Sequence, residues 1–201
     1  MINIVAAFAG EARPFIDALS LGLQPGCGPF VVYERGDARL IISGMGVDSA
    51  EAAVRFLSDR ADTANRWLNF GIAGSAQFGL GMLVVARRVC GPSSGESWRC
   101  YRPPALSWPD AVVRSVERPE TAYAKSGVYD MEAAGICRAL GPRRCAAELS
   151  CIKLITDGPG RPASRLDKKT IRAMLAKVGP QLAHLPGALQ QTDPQTRREE
   201  T

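Results

Sequence analysis

The sequence predicts an α/β fold: a single domain built as a three-layer sandwich, with a mixed, largely parallel central sheet covered by helices on both faces. Short apolar runs that read as buried strands alternate along the chain with segments of helical period. The 201 residues, 46% of them hydrophobic, suffice for one sizeable core. No internal repeat divides them. The domain is expected to span residues 1–186, with a polar, disordered tail over 187–201.

The first strand is read in "NIVAAFA", followed by a helix over "EARPFIDALS", where Pro14 is placed in a first helical turn. "FVVYERGDARLIISGMG" reads as two strands around the Gly36-Asp37 turn. Asp48 and Glu51 then form the pattern of a capping box, and Ala50, Ala53, Val54 and Leu57 make the apolar face of the helix behind it. "WLNFGIA" and "MLVVARRV" read as buried strands on either side of a glycine-rich turn. From Cys90 to Gly127 prolines and charges break every pattern. Asp130 then caps a helix over "MEAAGICRAL", "CIKLITDG" reads as a buried strand, and "KKTIRAMLAKV" as an amphipathic helix capped from Asp167.

Composition excludes several classes. Trp67 to Ala86 is uncharged and about as long as the ~20 residues of a membrane span, but its four glycines and its Asn69, Ser75 and Gln77 make a poor helix in lipid. No secretory pattern opens the chain, so a soluble, cytoplasmic protein is expected. Cys27, Cys90, Cys100, Cys137, Cys145 and Cys151 contain no CxxC pair and read as buried reduced thiols. The single histidine, His184, lacks ligand-like neighbours, so no metal and no cofactor are expected. A net charge of +5 with scattered arginines points to a small polar or anionic ligand, or simply to solubility, and away from nucleic acid.

In such a sheet, ligands gather at the carboxyl ends of strands. The residues there are Glu11, the "SGMG" of Ser43 to Gly46, the "GIAGS" of Gly71 to Ser75, and Asp157, joined by Glu132 in the first turn of its helix. Each has a bland reading. Glu11 and Glu132 fit as ordinary acids at helix N-termini, and Asp157 before Gly158-Pro159-Gly160 fits as the start of a turn. "SGMGVDS" is a loose match to a dinucleotide fingerprint, with Ser49 where the third glycine belongs.

Taken in order, "VAAFAGEARPF", "LIISGMGVDSA", "LNFGIAGSAQFGLGMLVVA", "YDMEAAGI" and "CIKLITDG" resemble the nucleoside phosphorylase and nucleosidase superfamily, specifically its 5′-methylthioadenosine/S-adenosylhomocysteine nucleosidase and futalosine hydrolase branch. The resemblance covers roughly Met1 to Gly158. It implies an N-ribosyl hydrolase acting, as a homodimer, on a purine-type nucleoside with a modified 5′ group. Cleaving an N-ribosidic bond passes through an oxocarbenium-like sugar, which calls for an acid toward the base and an activated nucleophile.

By that resemblance Asp157 helps protonate the purine, Glu132 grips ribose hydroxyls, Met131 packs against the sugar and Glu11 activates water. The backbone of Gly71, Ile72, Ala73 and Gly74 closes on sugar and base, and Gly44 and Gly46 are expected to bind substrate from the neighbouring turn. Neither "FAGEARPF" nor "ISGMGVDS" carries the phosphate-holding set of the phosphorylases, although Arg13 lies near. A phosphorylase, including the hopanoid-associated type, and a catalytically silent nucleoside-binding protein are the alternatives. Ile72 replaces a small hydroxyl residue of the methylthioadenosine nucleosidases, "DGPG" lacks the usual second aspartate, and the segment from Cys90 to Gly127 is short. "SVERPE" reads as the remnant of a longer cover over the base.

Overall fold

A computed structural model describes residues 1–26, 28–60 and 66–190. Its elements in chain order are β1 (Ile2–Ala6), α1 (Ala9–Leu19), β2 (Gly22–Gln24), β3 (Val31–Arg35), β4 (Ala38–Ile42), α2 (Val47–Ser58), β5 (Arg66–Ser75) and β6 (Leu83–Cys90). There follow β7 (Ser97–Arg99), β8 (Asp110–Ser115), β9 (Val128–Asp130), α3 (Ala133–Glu148), β10 (Leu149–Asp157), α4 (Lys168–Ala183) and α5 (Leu185–Gln190).

Among the described residues one sheet holds every strand. Its open side runs β2-β3-β4-β1-β5; beyond β5 it closes on itself through β10, β6, β8 and β9, the last of which pairs back to β5. The pairings β1–β4, β1–β5, β5–β10, β6–β8 and β8–β9 are parallel. Equally many are antiparallel: β2–β3, β3–β4, β5–β9, β6–β7 and β6–β10. The sheet is therefore evenly mixed rather than largely parallel, and part of it is a closed ring rather than an open layer.

Burial follows from alternation along the strands. In β1, Ile2, Ile4 and Ala6 enter the core beneath α1, α4 and α5, while Val5 enters the one beneath α2 and α3. β10 is buried at every position, as expected of a strand packed on both faces. Where α2 meets α3 the backbones nearly touch: a Cβ at Gly135 would collide with the Val47 carbonyl oxygen. Glycine there lets the N-terminus of α2 approach the start of α3, which brings "SGMG" beside "MEAA".

Several expectations are corrected. α1 begins at Ala9, so Pro14 lies beyond the first turn. α2 begins at Val47 with no side-chain cap, because Asp48 points to solvent and Glu51 pairs with Arg55 at 2.7 Å. The segment from Cys90 to Gly127 holds β7 and β8, and "DAVVRS" is an inner strand of the closed ring. The boundary at 186 falls inside α5, whose Leu185 and Leu189 are buried; residues 191–201 of the expected tail lie outside the described residues.

Other expectations hold. Asp130 Oδ2 accepts the Ala133 N–H at 2.9 Å at the head of α3, and Asp167 Oδ1 accepts the Thr170 N–H at 2.6 Å at the head of α4. The helix expected over "MEAAGICRAL" starts two residues later, at Ala133, so Glu132 precedes its first turn, and it breaks after Leu140, where Gly141 takes φ 76° before Pro142. Cys100, Cys137, Cys145 and Cys151 are buried free thiols, whereas Cys90 is free but only half-buried; Cys27 lies outside the described residues. His184 is exposed at the end of α4. Among the described residues no helix is long and apolar enough to cross a membrane.

Candidate active site

The carboxyl ends of β1, β5 and β10 and the head of α3 surround a cavity of about 200 Å³. Glu11, Ile72, Ala73, Gly74, Met131, Glu132 and Asp157 all line it. Sequence reasoning placed all of these but Met131 on one rim, Met131 came from the resemblance, and the fold brings them onto one space. Gly44, Gly46 and Gly71 stand behind the wall. Gly46 donates its N–H to Glu132 Oε1 at 3.0 Å, Gly71 lies against Glu11 and Lys153, and Gly44 donates to the Ala7 carbonyl at 3.1 Å. The dinucleotide reading of "SGMGVDS" loses its basis here, since the N-terminus of α2 is already met by the Glu132 carboxylate.

Glu11 sits at the third position of α1, and its side chain turns back onto the strands. Oε2 accepts the Ala7 N–H and Oε1 the Ile72 N–H, both at 2.8 Å, so one carboxylate ties the end of β1 to β5. Only 2% of it is exposed. Burial pushes its pKa up to about 7, against the opposing pull of the Ile72 amide and the Lys153 ammonium. A carboxyl poised there exchanges a proton readily near neutral pH.

Glu132 is partly buried, with Oε1 on Gly46 and Oε2 accepting the Met131 N–H at 3.3 Å. Burial raises its pKa as well, and Lys153 opposes the shift. Asp157 ends β10. Its Oδ1 accepts the Thr156 hydroxyl at 2.9 Å and its Oδ2 the Tyr123 hydroxyl at 2.5 Å.

The sequence reading missed what lies beneath. Lys153, 1% exposed in the middle of β10, forms an ion pair of 2.7 Å with Asp130. Asp130 Oδ1 accepts the Ser115 hydroxyl at 2.6 Å, and Ser115 Oγ accepts the Ala134 N–H at 2.8 Å. Burial works against ionising Asp130, yet Lys153, Ser115 and the Ala133 amide hold its carboxyl below the usual range. Burial likewise works against the Lys153 charge, and the carboxylates of Asp130 and Glu132 outweigh it, so the ammonium is held above its ordinary range. A lone lysine inside an apolar strand was the available signal.

Ala7, Phe8, Met45, Val116, Pro119, Glu120, Tyr129, Asp130 and Ala163 complete the lining. Three of these belong to "SVERPE", so the short segment does cover the cavity. Arg13 does not reach it: its guanidinium pairs with Asp17 at 2.8 Å on the exposed side of α1. Among the described residues lining the cavity there is no arginine, lysine or histidine.

No protein-family model matches the chain, and no curated protein matches its sequence. Solved structures do match. The apo 5′-methylthioadenosine nucleosidase of Arabidopsis thaliana superposes with a TM-score of 0.81 at 14% identity, over 96% of each chain. The chain has the fold of a nucleosidase. The 5′-methylthioadenosine/S-adenosylhomocysteine nucleosidase of Neisseria meningitidis, in complex with methylthio-immucillin-A, gives 0.73 at 15% identity over 92% of this chain and 97% of that one. Futalosine hydrolase of Helicobacter pylori gives 0.70 at 14% identity over 94% and 96%. The nucleosidase fold thus extends beyond the Gly158 limit of the sequence resemblance.

Proposed function

We propose that the protein is an N-ribosyl hydrolase that cleaves the N-glycosidic bond of a purine-type nucleoside carrying an apolar 5′ group. The observation that supports this best is the lining: Glu11, Glu132 and Asp157, with Asp130 and Glu120, face one otherwise largely apolar cavity, with no cationic side chain among its described lining residues. Carboxylates suit a sugar that becomes positive as the bond breaks. A phosphate dianion in the same space would meet acidic groups without a counter-charge, which favours water as the nucleophile over phosphorolysis.

In this reading Asp157 faces the departing base and passes it a proton. Glu132 accepts from a ribose hydroxyl, a bond that strengthens as the sugar becomes cationic. Glu11, near its midpoint of titration at pH 7, takes the proton of the attacking water. Phe8, Met45, Ile72 and Val116 favour an uncharged 5′ substituent over an anionic one. A homodimer in the cytoplasm completes the proposal.

The test is release of free base from 5′-methylthioadenosine, S-adenosylhomocysteine, futalosine and inosine, each with and without phosphate. Base and free ribose product form without phosphate, and Glu11→Gln abolishes both. Activity that requires phosphate and yields a sugar 1-phosphate would make the protein a phosphorylase. Binding of adenine with every substrate left intact would make it a nucleoside-binding protein.

A further inference from the structure

Tyr123 lies in the connection between β8 and β9, and nothing in the sequence reading singled it out. Its backbone is left-handed, φ 49°, a conformation uncommon for a residue that carries a Cβ. The connection is tied down around it. The Tyr123 ring packs edge-on against Tyr129 with centroids 5.7 Å apart, and the Tyr129 hydroxyl accepts from the Lys125 amide and donates to the Lys125 carbonyl, both at 2.9 Å. This places the Tyr123 hydroxyl, buried, on Asp157 Oδ2.

Gly74 is the third partner. A Cβ there would collide with Asp157 Oδ2 and lie 2.8 Å from Tyr123 Cε1. The bare backbone of "GIAGS", the carboxylate at the end of β10 and a ring from the β8–β9 connection therefore close on one another at the wall of the cavity. Only a glycine at 74 permits this approach. The second carboxylate oxygen is held as well, by Thr156.

We propose that Tyr123 is a positioning residue for departure of the base: with Thr156 it fixes the Asp157 carboxyl and stabilises the carboxylate left when its proton has gone to the base. This rests on the nucleosidase reading above. As the C1′–N bond breaks, its electron pair goes to the base nitrogen and the Asp157 proton follows. The oxygen of water bonds to C1′ and its proton passes to Glu11. Hydroxyl donors bind a carboxylate more strongly than a carboxylic acid, so Tyr123 and Thr156 favour the products of that transfer. Tyr123 keeps its own proton throughout, because burial and then the neighbouring Asp157 push its phenol above the ordinary range. It orients and stabilises; it does not relay.

The experiment compares two leaving groups in wild type, Tyr123→Phe, Asp157→Asn and the double variant. One substrate is the fastest-cleaved nucleoside of the panel above. The other is 4-nitrophenyl riboside, whose nitrophenolate leaves without being protonated. Tyr123→Phe is expected to lower kcat on the nucleoside about 10- to 100-fold with little change in KM, while cleaving the nitrophenyl riboside at the wild-type rate. The double variant is expected to be no slower on the nucleoside than Asp157→Asn alone. Equal losses on both substrates would reduce Tyr123 to a structural residue, and an unchanged nucleoside rate would remove it from the reaction; either overturns the proposal. A wild-type protein that cleaves neither substrate overturns the nucleosidase reading and this proposal with it.

Discussion

At one end of the cavity Glu11 and Glu132 share a buried cluster with Lys153 and Asp130; at the other, Asp157 is met by the hydroxyls of Tyr123 and Thr156. The two ends differ in the kind of force that sets their chemistry. Around Glu11, burial and whole charges compete, and the outcome is a carboxyl near neutrality. Around Asp157, neutral hydroxyls at short range hold the carboxyl group in place without adding charge. Two carboxyl groups of one cavity are thereby suited to different tasks, one to take a proton from water and the other to attend the base.

The sharpest way to break this comparison is to disable the hydroxyl-held end. Asp157→Asn keeps the shape of the side chain but cannot pass a proton to a leaving base, and turnover is expected to fall by ~10²–10⁴-fold. Thermal unfolding should stay close to wild type, since an amide still accepts from one hydroxyl. Near-normal turnover by the folded variant would return Asp157 to the bland role of starting the Gly158-Pro159-Gly160 turn, and the two ends would no longer be two functional groups.

The charged end has a different weakness, which is stability. Lys153→Met leaves Asp130 buried with no counter-charge, and removing one partner of such a pair costs roughly 3–5 kcal/mol. Adding Asp130→Asn removes the stranded charge, so the double variant is expected to recover most of the loss in chemical denaturation. A single variant as stable as wild type would mean that the Asp130–Lys153 pair is not the support on which the Glu11 end rests.

How far each end could be read in the sequence follows from the same contrast. Glu11, Glu132 and Asp157 were legible because strand ends and helix starts are local signals, and a parallel strand carries its C-terminal residue to a common rim. The sheet's open side was legible for the same reason, through the β3–β4 hairpin at Gly36-Asp37 and the apolar runs of β1 and β5. Ring closure was not, because the pairing of β9 with β5 joins residues whose separation leaves no local trace. Tyr123 was hidden by the same long-range geometry: it sits in a stretch without period, and its partners are Asp157 and Gly74. Asp48 misled in the opposite direction. It fits a capping box locally, but the partner for the Gly46 amide comes from Glu132 in another part of the chain, and tertiary contact displaced the local cap.

The smallest expected effect concerns a single proton on Glu11, and it pulls activity and stability in opposite directions. In the unfolded chain this carboxyl titrates near its ordinary value of 4.5, and in the folded protein at about 7. Between those values the folded state holds a proton that the unfolded state has released, so the contribution of Glu11 to stability falls as pH rises from about 5 to about 8. The span is at most on the order of 3 kcal/mol. Glu11→Gln carries no such proton, so the stability of wild type relative to the variant is expected to decline across that window. Activity runs the other way, because only the ionised carboxylate can take a proton from water: kcat/KM of wild type is expected to climb with pH through an apparent value near 7. The two curves are measured independently, one by denaturation and one by base release. If both are flat between pH 5 and 8, the buried charges around Glu11 do not set its proton affinity, and the difference between the two ends of the cavity is one of position alone.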